Sequence, residues 1–127
     1  MIKKIIVDID DTLTIHNSSN EYGLKKPRVD ILKKLKEYKE KGYEIILYSA
    51  RNMKTFDGDL SKINKHTLPK LMEWLVTHDV EFDGIIMGKP WCGEMGFYID
   101  DKAIRPDEFV KMSEEDIHKM IGRSHLP

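Results

Sequence analysis

The stretch Ile5-Ile6-Val7-Asp8-Ile9-Asp10-Asp11-Thr12 decides how the rest of the chain reads. Three β-branched residues in a row, ending abruptly in acids, read as a strand buried on both faces, the pattern of a parallel sheet. In such sheets ligands gather at the carboxyl ends of the strands. A strand that ends in Asp8 and Asp10 therefore carries its carboxylates to the place where chemistry is done.

Working outward, residues 11–26 are polar and turn-rich and read as loop with a small hairpin, a short flap over about residues 12–27. Pro27 suits the first turn of a helix, and Val29, Leu32, Leu35 and Tyr38 follow at helical spacing, with lysines between them facing water. Gly42 is the expected stop. Tyr43 to Tyr48 reads as a second strand centred on Ile45-Ile46-Leu47. Residues 51–65 are polar and read as a long loop around Gly58. A second helix is expected from His66 to His78, with Leu68, Leu71, Met72, Trp74 and Leu75 inward. Ile85-Ile86-Met87 reads as a third strand and Phe97-Tyr98-Ile99 as a fourth. Ser113 and Asp116 resemble a capping box before a last helix carrying Ile117 and Ile121. Strands alternating with helices through right-handed crossovers imply an α/β fold, a three-layer Rossmann-like parallel sheet.

The length, 127 residues, suits one domain over residues 1–127. The apolar fraction is 40%, the charged fraction 34% and the formal net charge −1. That balance offers no general attraction for nucleic acid or an acidic membrane. The single cysteine, Cys92, permits no internal disulfide, which fits a reducing compartment. The N-terminal apolar run stops at Asp8, short of a signal core, and no stretch approaches the roughly 20 apolar residues of a spanning helix. The expectation is a cytoplasmic protein.

Every chemistry-bearing residue falls after an expected strand. The first strand ends in Asp8-Ile9-Asp10-Asp11-Thr12, the second in Ser49-Ala50-Arg51, the third is followed by Gly88-Lys89-Pro90, and the fourth ends in Asp100-Asp101. Two carboxylates about 4 Å apart at an effective dielectric near 20 repel by about 4 kcal/mol. A hard cation between them relieves this, and an all-oxygen ligand set suits Mg²⁺ with a substrate phosphate. Phosphoryl transfer is largely positioning and charge stabilisation, which a metal, Lys89 and the Ser49 hydroxyl would supply. Asp10 is placed to protonate a leaving alkoxide and then to activate water. Taken singly, Asp8 and Asp10 equally describe a solvated loop, Thr12 a turn cap, and Asp11 a solvated turn residue. Arg51 and His66 belong either to a basic, solvated loop or to a substrate contact. Trp91 either packs locally or lines the site entrance. Cys92 has no evident partner base and is not read as a nucleophile.

Asp8-x-Asp10-x-Thr12, Ser49, Lys89 and Asp100-Asp101, in that order and each after an expected strand, resemble the four motifs of the haloacid-dehalogenase superfamily across residues 5–101. The resemblance implies Asp8 as nucleophile and Asp10 as acid/base. It assigns Ser49, with Ala50 beside it, and Lys89 to the phosphoryl group. It assigns Asp8, Asp10 and Asp100 to Mg²⁺, with Asp101 and Thr12 in support. An aspartate at position 10 is the pattern of the superfamily's phosphatases and phosphomutases. The intervals 12–27 and 51–89 are too short for a cap domain, and capless relatives close their sites with a large substrate or a neighbouring subunit. The segments Ser-Ala-Arg-Asn-Met, Lys-Ile-Asn-Lys-His-Thr-Leu-Pro and Gly-Lys-Pro-Trp-Cys-Gly are similar to short bacterial phosphatases of capsule or surface-polysaccharide synthesis. That similarity implies a small phosphomonoester (a sugar, polyol or amino-alcohol phosphate) and a homo-oligomer, with a tetramer plausible. The competing readings are a phosphomutase or phosphotransferase, a receiver-like signalling domain and a non-catalytic metal-binding module. Against the receiver, the third strand ends in Gly88-Lys89, with no aspartate.

Overall fold

The structure, a computed structural model, describes residues 1–122. The chain divides into two compact units, Met1–Trp91 and the residues from Cys92 onward. Among the described residues, no helix is long and apolar enough to cross a membrane.

The first unit is α/β. Its strands β1 (Lys4–Asp8), β2 (Glu44–Ser49) and β3 (Gly84–Met87) form a parallel sheet in the order β1-β2-β3. The register sets Asp8 level with Tyr48, and Ser49 level with Met87, so the acids and the hydroxyl leave the sheet at one rim. Each strand contributes a β-branched pair, Ile5-Ile6, Ile45-Ile46 or Ile85-Ile86, which is what the sequence led us to expect.

Helix α1 (Val29–Glu40) joins β1 to β2 and packs against β2. Its buried residues are Ile31, Leu35 and Tyr38, while Val29 is exposed, so the inward stripe begins two residues later than the spacing suggested. Pro27 lies outside the helix, in an antiparallel bridge with Thr14 that closes the base of the 12–27 flap as a small hairpin. Gly42, at φ +94°, ends the helical run in a conformation other residues resist.

The stretch expected to be loop through residue 65 is helical from Leu60. Asp59 caps it, its carboxylate accepting from the backbone N–H of Ser61 (3.0 Å) and Lys62 (3.2 Å). The run passes from α2 (Leu60–Lys62) through a π-helical turn (Ile63–Thr67) into α3 (Leu68–Thr77). A π-turn inserts an extra residue and re-aims the side chains around it. Here it buries both Ile63 and Thr67. Leu71, Trp74 and Leu75 of α3 are buried, as expected.

Both crossovers step in the same direction along the sheet. Right-handed crossovers of that kind put both connecting helices on one face. The face carrying Val7, Ile45 and Leu47 is accordingly buried, whereas on the opposite face Ile6 is 56% and Ile86 52% exposed. The helices of the first unit thus cover one face of its parallel sheet.

The second unit holds α4 (Pro106–Lys111) and α5 (Glu114–Gly122). The Ser113 hydroxyl accepts from the Asp116 N–H at 3.1 Å, completing half of the expected capping box. The expected fourth strand is not formed: residues 96–100 carry no regular secondary structure, and Phe97 and Ile99 are 77% and 92% exposed. An apolar, β-branched segment becomes a strand only when a neighbour supplies its hydrogen bonds.

Candidate active site

The site is built at the end of β1. The Ile9 carbonyl accepts from the N–H groups of Thr12 (3.2 Å), Leu13 (2.8 Å) and Thr14 (3.2 Å), coiling the chain into a tight turn. Asp11 takes a left-handed conformation there (φ 62°), and its N–H donates to Thr14 Oγ1 at 2.8 Å. This turn sets Asp8 and Asp10 near one another and returns the Thr12 hydroxyl to donate to Asp8 Oδ2 at 3.3 Å. Thr12 therefore supports Asp8 directly. Asp11 contacts His16 across 3.2 Å, a surface pair.

Lys89 approaches from the end of β3, its Nζ 3.3 Å from Asp8 Oδ1. Its backbone is held by β2: the N–H groups of Gly88 and Lys89 both donate to the Ser49 carbonyl, at 3.1 and 3.0 Å. Gly88 sits at φ +92°, and a Cβ there would lie 2.6 Å from Leu60 Cδ2. Ser49 is fully buried, and its Oγ accepts from the Arg51 N–H at 3.0 Å. Ala50, between them, is half-buried at the same rim.

Burial pushes the Asp8 carboxyl above the ordinary carboxylate range. The Lys89 ammonium pulls it back through charge and hydrogen bond without offsetting that cost, and the neighbouring Asp10 charge adds to the upward push.

Asp10 is met by two cations. Arg51 donates through Nη2 to Oδ1 at 2.7 Å and through Nε to Oδ2 at 3.2 Å, a two-pronged pair. Lys25 stands 3.5 Å from Oδ1. Arg51 is 3% exposed, and its guanidinium lies 4.3 Å from the centroid of the Tyr22 ring. The Tyr22 hydroxyl is pushed above its ordinary value, first by burial and then by the Asp10 charge. Arg51 thus contacts Asp10 rather than standing free in a solvated loop. Lys25 and Tyr22 were not singled out by the sequence. They lie on a flap whose folded path, closed by the Thr14–Pro27 bridge, brings them to Asp10, and nothing in their local pattern announces it.

Two further ties hold this side. Asn52, left-handed at φ 60°, accepts through Oδ1 from the buried Thr67 hydroxyl at 2.8 Å, linking the π-turn to the loop after β2. The Trp74 indole N–H donates to the Lys25 carbonyl at 2.9 Å. Beside Arg51 opens a cleft of about 480 Å³, lined among others by Tyr22, Asn52, Thr67, Lys70, Glu73 and Trp74.

His66 is exposed and lies against Phe56, with ring centroids 5.8 Å apart. Trp91 is 42% exposed, with the Lys54 ammonium 5.2 Å from its ring centroid. Asp100 and Asp101 belong to the second unit and are exposed; Asp100 Oδ1 accepts from the Lys102 N–H at 2.8 Å. Among the described residues, no three His, Cys, Asp or Glu side chains are gathered as a metal-binding group. What the first unit does gather is Asp8, Asp10, Thr12, Ser49 and Lys89, with Arg51, Lys25 and Tyr22 around Asp10.

No family model matches the sequence. No curated protein matches it significantly. Among solved structures, the chain is similar to an MCSG target protein from Vibrio cholerae, with 50% identity over 97% of this chain and 99% of that one and a TM-score of 0.93. It is also similar to a chain of the Pnkp1/Rnl/Hen1 complex at 20% identity, covering 87% of this chain but 34% of that one, with a TM-score of 0.51. At that identity the second likeness speaks for the fold alone. At half identity over nearly the full length of both chains, the protein described here belongs to the same family as the Vibrio cholerae protein.

Proposed function

We propose that the protein is a Mg²⁺-dependent phosphomonoesterase of the haloacid-dehalogenase type, acting on a small phosphorylated alcohol through Asp8. The observation that carries this reading is the setting of Asp8. It is a desolvated carboxylate at the end of a parallel strand, between the Lys89 ammonium and the Thr12 hydroxyl, with a second acid two residues on.

The donor chemistry fits a hard divalent cation. Asp8 and Asp10 offer only oxygen ligands, and Lys89 alone leaves the burial of Asp8 uncompensated. Within the first unit, Asp8 through its carboxylate and Asp10 through its main-chain carbonyl would hold Mg²⁺. When bound, the ion would neutralise charge on the phosphate and the attacking carboxylate.

The chain's own groups divide the remaining work. Lys89 draws an anionic phosphoryl group toward Asp8, and Ser49 offers a hydroxyl at the same rim. An Asp8 oxygen attacks phosphorus as the bond to the alcohol oxygen breaks, and Asp10 donates the proton that the leaving oxygen needs. Water then attacks the phosphorus of the aspartyl phosphate and gives its proton to Asp10, and the bond to Asp8 breaks. Inorganic phosphate and the alcohol are the products. Arg51 positions Asp10. Because its fork occupies both Asp10 oxygens, one must be released before Asp10 can serve the leaving group. The cleft beside Arg51, with Asn52, Lys70 and Glu73 in its wall, offers hydrogen-bonding groups to a polar alcohol such as a sugar, polyol or amino alcohol.

The test is phosphate release from a panel of sugar, polyol and amino-alcohol phosphates. Turnover that chelation abolishes, Mg²⁺ restores and Asp8→Asn eliminates is the expected result. Turnover that persists in excess EDTA overturns the metal assignment, and turnover that persists in Asp8→Asn removes Asp8 as nucleophile.

A further inference from the structure

We propose that two copies of the chain exchange their second units, each laying its residues 97–101 along the open edge of the other's β1 and so carrying its Asp100 to the other's Asp8.

Four observations converge on this. The first is an edge. Among the described residues β1 pairs only with β2, so one side of its backbone faces no strand. Open edges of this kind invite a strand from another chain.

The second is a face. Both crossovers cover the same side of the sheet, and the other side leaves Ile6 and Ile86 more than half exposed. All-parallel sheets are ordinarily covered on both faces. In doubly wound folds the second face is covered after the chain changes direction beside the first strand.

The third is a pair of exposed apolar side chains. Phe97-Tyr98-Ile99 has the composition of a doubly buried strand, yet Phe97 is 77% and Ile99 92% exposed. It is followed by α4 and α5, whose buried residues are Phe109 and Ile117.

The fourth is the length of the connection, and it decides which copy donates. A parallel strand must be reached by returning to the opposite end of the sheet, and even neighbouring parallel strands need a crossover of about a dozen or more residues. From the end of β3 to the far side of β1 the chain would have to pass both β2 and β1. Only nine residues, Gly88 to Gly96, are available, and residues 93–95 of them are spent on a turn. A segment too short to cross its own sheet can still lie along another's, the low-cost route to a dimer by exchange.

Aligning Phe97-Tyr98-Ile99-Asp100 with Ile5-Ile6-Val7-Asp8 puts the two apolar runs side by side and the two acids level at the rim. The first unit receives the added acid readily: Lys25, Arg51 and Lys89 already surround Asp8 and Asp10. The exchange stands on the edge, the face and the connection. Only its catalytic consequence rests on the phosphatase reading.

The experiment uses the full chain carrying Cys92→Ser with Ile6→Cys and Tyr98→Cys, treated with a short thiol crosslinker. Covalent dimers on a denaturing gel are expected. A crosslinked monomer, or no crosslink, overturns the exchange. Light scattering of the unaltered protein guards against a variant that fails to fold: a dimer or a multiple of one is expected, and a monomer overturns the proposal.

Asp8→Asn and Asp100→Asn, denatured and refolded together, separate the two readings. Each is inactive alone, and random exchange restores about one quarter of the unaltered activity, because each mixed pair assembles one intact site. Covalent dimers without restored phosphate release leave the exchange standing and sink the catalytic role. Absence of dimers sinks the exchange, whatever the activity.

Discussion

Asp8 combines two properties that pull against each other: its side chain is about two-thirds buried, and its one close cation does not repay that burial. Its folded-state pKa lies above the unfolded value of about 3.9. Folding therefore favours the neutral acid. The stability this gives is fully present below the unfolded value and is lost as pH rises through the folded one. Asp8→Asn removes that loss. The variant is expected to be inactive yet more resistant to urea, with an advantage over the unaltered protein that grows as pH rises above about 4. Urea midpoints at several pH values check this, and midpoints that coincide throughout refute it. Asp30 runs the other way. Its hydrogen bonds from Arg28 hold it below the ordinary range, so its contribution is present above that range and fades as pH falls. Arg51 shows a different dependence. Arg51→Ala leaves Asp10 with only the longer Lys25 contact and is expected to cost about 2–3 kcal/mol of stability. Arg51→Lys keeps the charge but loses the fork. A positioning role through Asp10 requires its turnover to fall more with alkyl phosphates than with an aryl phosphate, whose leaving group needs less protonation.

At the scale of elements, much was legible and the gaps have identifiable causes. The β-branched runs of β1, β2 and β3 appear where their composition put them, because such runs suit the pleated surface of a parallel sheet. The stripe of Leu71, Trp74 and Leu75 was equally plain. The start of the helical run at Leu60 was missed because Asp59 acts as a cap in the midst of polar residues that read as loop. The pair of Asp10 with Arg51 joins residues 41 apart in sequence, and only the strand order brings them together. No periodicity encodes it. Phe97-Tyr98-Ile99 is the instructive failure: its composition speaks for a strand, but composition cannot name the neighbour. The connection from β3 has its own prediction. Gly88→Ala forces an alanine into the left-handed region against Leu60 and is expected to cost about 1–3 kcal/mol. It should also shift Lys89 and weaken phosphate binding. Thermal melting together with inhibition by inorganic phosphate measures both, and an unchanged phosphate affinity means Lys89 does not depend on that turn.

At the scale of the whole molecule, the proposed exchange would make concentration a variable of the chemistry. If the reacting groups come from two chains, specific activity is expected to fall on dilution, in step with loss of the dimer by sedimentation. Constant activity down to concentrations where only monomers sediment means one chain suffices. Core variants separate this from simple instability. Leu47→Ala, at a fully buried position of the central strand, is expected to cost about 2–5 kcal/mol while leaving the dilution profile of the surviving folded protein unchanged.

The indole of Trp74 donates to the main chain of the same flap residue whose ammonium reaches Asp10. The helix interior and the acid are thus joined by one hydrogen bond and one side chain, which gives the protein an optical reporter of its own. With Trp91→Phe silencing the second fluorophore, emission from Trp74 follows whether the flap is seated. Titrating in a phosphate ester then turns docking of that hairpin into a colour shift that can be read without any turnover.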